Sequence, residues 1–143
     1  MPNWVDNDMS FAASSREELE SLWSILWDDK KQEPTFAKLF KDYKPDRDDW
    51  YEWNLENIGS KWEPNDVIFY GIERDKSVKG PRKWKMNIGF MTAWSPPLGI
   101  MPVIAEKFPK IRFSIRYDEP GMSFKGHEWW NNGEKTKDVY TEY

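Results

Sequence analysis

The sequence predicts an α+β fold, with one antiparallel sheet of four core strands and two helices packed on a single face. Three observations carry that expectation. Stretches of two-residue apolar–polar alternation recur along the chain, an amphipathic helical stripe follows the first of them, and a proline-led apolar stretch sits before the last.

The elements follow in order. "NWVDNDMSFA" (3–12) sets Val5, Asn7, Met9 and Phe11 against Trp4, Asp6, Asp8 and Ser10, a strand with one wetter face. In "SSREELESLWSILWDDKK", Ser15 with Glu18, or Ser14 with Glu17, has the capping-box spacing. Leu19, Leu22, Trp23 and Leu26 then recur at helical intervals, with acids near the start and Lys30 and Lys31 near the end, as the helix dipole favours. Between 32 and 65, Phe36, Leu39 and Phe40 mark a helical turn after Pro34, and "DRDDWYEWNLENIG" (46–59) marks another closed by Gly59. "DVIFYGIER" (66–74) and "WKMNIGFMTAW" (84–94) are strands joined by the exposed hairpin "DKSVKGPRK" (75–83). "PPLGIMPVIAEKFPK" (96–110) is a helix starting close to Pro102, since proline is tolerated in a first turn. "IRFSIRYDE" (111–119) alternates as a half-buried strand, Pro120-Gly121 breaks it, and "MSFKG" forms a short further strand before a polar tail.

Strand, helix, strand, hairpin, strand, helix, strand is the split βαβ order of a ferredoxin-like βαββαβ sandwich. It fits a single domain over 1–143, with an inserted helical and loop segment at about 32–65 and a peripheral C-terminal extension at about 128–143.

Composition narrows the functional classes. Charged residues are 32% and apolar ones 38%, yet 24 of the 143 residues are Phe, Trp or Tyr, ten of them Trp. Each large ring can bury roughly 150–250 Å², so the expectation is a folded core held mainly by rings. There is no cysteine and one histidine, His127, so disulfides and Cys- or His-rich metal sites are excluded and no cofactor is expected. No basic-then-apolar leader and no apolar run near the ~18 residues of a membrane span are present, so a cytoplasmic protein without membrane contact is expected. The net charge of −4 is uneven: residues 1–66 carry 16 acids and 8 bases, residues 67–143 carry 9 and 13.

"MPNW" (1–4), "ENIGSKW" (56–62), "TAWSPP" (92–97), "KFP" (107–109) and "DEPGMSFKG" (118–126) occur in that order. Together they resemble the YubB-like ferredoxin-like domain family, small proteins of bacteriophages, plasmids and prophages. The resemblance spans nearly the whole chain and is weakest at 13–50 and after 130. It implies the same ferredoxin-like fold, a mobile-element setting, and no established reaction. Its motif residues here include Trp4, Trp62, Trp94, Ser95, Pro96, Pro97 and Gly121. Three positions depart from the family pattern: Val5 stands where cysteine is frequent, Ile58 where tryptophan is, and Met91 where an acid is. Each swap removes a polar or reactive group and keeps an apolar one, which argues against catalysis.

Four candidate sites follow. Trp94 is expected to pack with Trp4 and Trp62 beneath the "GSKW" turn, the alternative being a ligand wall at a strand end. The acidic segment with Asp48, Asp49, Trp50, Tyr51 and Trp53 mixes aromatic anchors with charge, as protein interfaces do. The basic hairpin with Arg74, Lys76, Lys79, Arg82, Lys83, Trp84 and Lys85 is the place to hold single-stranded nucleic acid, together with the exposed sheet face. Asp118, Glu119, His127 and Glu128 form the one acid/base set, and the carboxylates among them the one candidate cation site. The favoured expectation is a non-catalytic protein-binding module acting on a host or phage protein such as a defence complex. Nucleic-acid binding is second and acid/base catalysis third.

Overall fold

A computed structural model describes residues 3–143. Met1 and Pro2 of the "MPNW" motif lie outside the described residues. The chain folds in the order β1 (Trp4–Ala13), α1 (Arg16–Leu26), β2 (Trp27–Asp28), β3 (Glu33–Pro34), a 3-10 turn (Phe36–Leu39), α2 (Trp50–Asn57), β4 (Asn65–Arg74), β5 (Trp84–Ala93), α3 (Ile100–Lys107), β6 (Arg112–Glu119), β7 (Phe124–Asn131) and β8 (Glu134–Glu142).

The main sheet runs β4-β5-β1-β6-β7-β8, antiparallel throughout. Its first four strands are the ferredoxin-like core. Chain-adjacent β4 and β5 pair as a hairpin, and β1 lies between β5 and β6 because each helical crossover skips one strand. In β1 the alternation sends Val5, Asn7, Met9 and Phe11 inward and leaves Asp6, Asp8 and Ser10 in solvent, as two-residue periodicity requires. Leu19, Leu22 and Leu26 of α1 and Ile100, Met101 and Ile104 of α3 meet Met86, Ile88 and Phe90 of β5 and Phe113 and Ile115 of β6 in one core.

Ser15 is the N-cap of α1, its hydroxyl accepting from the Glu18 amide at 3.3 Å. The helix stops at Leu26, short of the lysines expected at its end. The Asp28 carboxylate accepts from the amides of Lys30 and Lys31, a side-chain turn that competes with a further helical turn. The 3-10 turn and α2 bring Phe36, Leu39, Trp53 and Ile58 into the core, so the insertion is part of it rather than only a cover. Gly59 closes α2 at φ +91, its amide reaching the Asn54 carbonyl. Helix α3 begins at Ile100, placing Pro102 in its first turn.

Two findings depart from the sequence reading. The polar segment expected as a peripheral tail is ordered as most of a hairpin, in which β8 is the sheet edge, exposed along its length. Asn132 and Gly133, at φ 53 and 80, form the left-handed pair that favours a tight hairpin. The rings also divide by type: the fully buried aromatics are chiefly phenylalanines, and nine of the ten tryptophans keep some solvent exposure, Trp53 being the buried one. The tryptophans rim the core instead of filling it.

Candidate binding surfaces

The sequence motifs mostly build corners. At the end of β5, buried Asn7 donates to the Thr92 hydroxyl (2.9 Å), Thr92 donates to the Ser95 carbonyl (2.8 Å), and Ser95 donates to the Gly59 carbonyl (2.6 Å). Ser60 donates to the Ala93 carbonyl and the Gly99 amide to the Ile58 carbonyl. These bonds lock the turn after α2 onto the strand end, while Pro96 and Pro97 are buried at the exit. The Ser95 hydroxyl is thereby committed to structure.

Trp94 is not the plug that the sequence suggested. Its ring is 45% exposed, its φ is +69, and its amide is held by the Asn3 carbonyl at 2.8 Å. The left-handed backbone turns the side chain outward, and the hydrogen-bonded Ser95 with the two prolines fixes the corner in its place. Trp4 and Trp62 do meet, with ring centroids 6.0 Å apart, but without Trp94 as a third layer.

The "DEPGM" stretch is likewise a turn device. Buried Glu119 accepts from the amides of Gly121 (3.0 Å) and Met122. Gly126 lies beneath the Tyr117 ring, where a Cβ would stand 2.2 Å from the phenol oxygen.

This geometry separates the expected acid/base set. Side chains alternate across a strand, so Asp118 and His127 lie on the helix-free face of the sheet, while Glu119 and Glu128 are buried on the other. Glu128 is engaged by the Trp130 indole at 3.0 Å. The carboxylates expected as a cation site are split in the same way. His127 stacks on Trp129 at 3.6 Å, and burial, then the charges of Arg116 and Lys137, push its pKa below the ordinary imidazole value. Its Nε2 is buried without a partner.

The helix-free face holds an open groove of about 500 Å³ lined by Asp6, Asp8, Arg116, Asp118, Lys125 and His127, among others. Asp6 is raised above the usual carboxylate range by burial, with the nearby charges of Asp8 and Asp118 adding to it. Toward the opposite end of the same face, Trp129 stands between two smaller hollows.

The basic hairpin is partly engaged. Lys85 pairs with Asp75 at 2.5 Å, and that contact with the Ser77 bonds takes the Asp75 carboxyl down to about 2. Arg82 donates to the Lys110 carbonyl. Trp84 faces the core with the Arg16 guanidinium 5.7 Å over its ring, so it is not the free stacking surface expected of it. Arg74, Lys76, Lys79 and Lys83 lie at or beside the tip.

The acidic insertion divides too. Trp53, expected at the interface, is 5% exposed. Its indole donates to Asp42 at 2.9 Å, Phe40 meets it edge-on, and Arg47 lies 4.9 Å over its ring. It is an anchor of the insertion. Trp50 and Tyr51 are each 45% exposed, in contact edge to face, with Asp48 and Asp49 beside them and exposed. From Tyr51 the rings continue across the surface. The Lys61 ammonium lies over both Tyr51 (5.7 Å) and Trp62 (4.7 Å), and Trp62 meets Trp4. A band of four rings therefore joins α2 to the start of β1, a continuity that sequence spacing could not reveal.

Residues 69–143 match the family described as the ferredoxin-like domain in Api92-like protein. The chain belongs to that family. The matched region runs from within β4 to the end of β8, so the β7–β8 hairpin is part of the family's domain. Among solved structures, the chain is similar to a protein api92 from Yersinia pseudotuberculosis, at 17% identity and a TM-score of 0.49, over 74% of this chain and 33% of that one. The chain thus corresponds to about a third of that protein's length. No curated protein matches it. Among the described residues, no helix is long and apolar enough to cross a membrane.

Proposed function

We propose that the chain is a non-catalytic protein-binding module that docks through the aromatic band Trp50–Tyr51–Trp62–Trp4. The observation that supports this most is the band itself. Large rings gathered on a surface, here two contacting pairs bridged by Lys61, with Trp50 and Tyr51 exposed and Trp62 and Trp4 half-buried, are what the centre of a protein interface is made from. Leu55, 43% exposed on α2, adds apolar area beside Trp50 and Tyr51. Around them lie Asp46, Asp48, Asp49, Glu52 and Glu56, all exposed. The matching partner surface is an apolar pocket rimmed by lysine and arginine, whose charge would also speed encounter.

The motif resemblance to YubB-like proteins of phages and plasmids supports a mobile-element setting in a bacterial cytoplasm. There a small acidic, aromatic surface suits a protein that modulates a host complex, defence assemblies included. The test is affinity capture from a lysate of the host, comparing the wild-type chain with the Trp50→Ala/Tyr51→Ala double variant. Proteins retained by the first and lost by the second support the reading; identical captures would remove it.

A further inference from the structure

On the helix-free face, β7 presents His127, Trp129 and Asn131 in a row at two-residue spacing, running from the border of the Asp6–Asp118 groove toward the other end of the sheet. Four features meet there. His127 and Trp129 form a parallel stack, with ring centroids 3.6 Å apart and planes within 10°. Hollows of about 200 and 380 Å³ flank Trp129, and Arg112 borders both. Lys137, opposite Trp129 on β8, places its ammonium 5.1 Å from the indole. Finally, the His127 Nε2 and the Asn131 Oδ1 on either side of Trp129 are buried polar atoms without a partner. Buried polar atoms rarely go unsatisfied, so two of them flanking one half-buried ring at the sheet surface mark a place where a ligand supplies the missing hydrogen bonds.

The charges at this end favour an anion. Arg112 and Lys137 lie outside the ion pairs of this face, Arg116–Asp8 and Lys85–Asp75. The carboxylates of Asp6 and Asp118 lie toward the other end, and Asp8, level with His127, faces Arg116 at 3.9 Å. We infer that this end of the sheet is a second binding site, for a short run of single-stranded nucleic acid. A base extends the His127–Trp129 stack and places its edge at Asn131 or His127, and the flanking phosphates meet Arg112 and Lys137. Aromatic stacking with adjacent cations is the physical basis of sequence-tolerant single-strand binding. From β8 to β5 the path crosses four strand spacings, roughly 19 Å at about 4.8 Å each, room for a few nucleotides.

The site is independent of the aromatic band, and fluorescence anisotropy tests it alone. The probes are labelled twelve-residue oligothymidylate and oligouridylate, and an abasic oligomer of equal charge. Binding of either base-bearing probe is expected to weaken with salt at a log–log slope of about −1.4 for two phosphate contacts. Trp129→Ala should weaken it roughly 5- to 160-fold. Arg112→Ala, on an exposed side chain that leaves the core intact, should reduce the slope by about 0.7. Trp50→Ala/Tyr51→Ala should leave affinity unchanged. Absence of binding at low salt, equal affinity for the abasic oligomer, or a folded Trp129→Ala variant that binds like wild type would each overturn the inference.

Discussion

Glu63 connects the acidic insertion to the core, and its titration can be followed as stability. It is part-buried beside the 3-10 turn, where its two carboxylate oxygens accept from the amides of Phe36 (2.6 Å) and Ala37 (3.1 Å). Those bonds favour the charged form, but desolvation outweighs them and raises the group from 4.5 to about 7. The native state therefore holds this proton more tightly than the unfolded chain. The stabilisation is fully present below pH 4.5, declines between 4.5 and 7, and is lost above. At 1.36 kcal/mol per pH unit, the change across that window is on the order of 3 kcal/mol. His127 acts in the opposite sense near its ordinary value, because its native pKa is lowered. A single curve therefore mixes the two. Urea unfolding of wild type and Glu63→Gln at several pH values between 4.5 and 8 separates them, since His127 contributes equally to both. The difference in unfolding free energy should shift against the wild type by up to about 3 kcal/mol as pH rises. Parallel curves for the two proteins would refute the argument that burial governs this carboxyl.

Substitutions at three places test the packing, two of them against a control. Gly99→Ala would place a Cβ 1.9 Å from the Asn57 carbonyl oxygen, backbone against backbone. It should cost roughly 3 kcal/mol in urea unfolding, against about 0.5 or less for Gly80→Ala, which meets open space. Trp53→Ala should lower stability by about 3–5 kcal/mol, while Trp50→Ala stays within about 0.5 kcal/mol, because one ring is buried and the other is not. Trp94→Gly should be less destabilising than Trp94→Ala by about 1 kcal/mol in urea unfolding, because both lose the ring and only glycine relieves the left-handed backbone.

The fold was largely legible where periodicity was clean. The alternation around Val5–Phe11 and the Leu19–Leu22–Leu26 stripe fixed strand, helix and inward face together, and the β4–β5 hairpin followed from Gly80-Pro81. The β7–β8 hairpin carries a turn signal, Asn132-Gly133 in "NNGEK", but little strand signal on its outer side. The polar outer strand lacks an apolar face, and a sheet edge does not need one. Ring burial is less legible still. A tryptophan's size says how much area it can cover and not which side of the core it lies on, so Trp53 and Trp50 looked alike three residues apart on one helix. Only the tertiary path of the 58–62 turn, held by Ser95 and Gly99, brings Lys61 and Trp62 against Tyr51 and Trp4. The same limit applied to His127 and Glu128: adjacency in sequence put them together, and the pleat put them on opposite faces.

On the proposed reading, the exposed rings act in recognition while the buried ones hold the body together. Its most direct test is capture from host lysate with three baits of matched folding: wild type, Trp50→Ala/Tyr51→Ala, and Arg112→Ala/Lys137→Ala. Loss of captured protein with the second bait alone is the predicted result. Retention by that bait, or loss confined to the third, would contradict it.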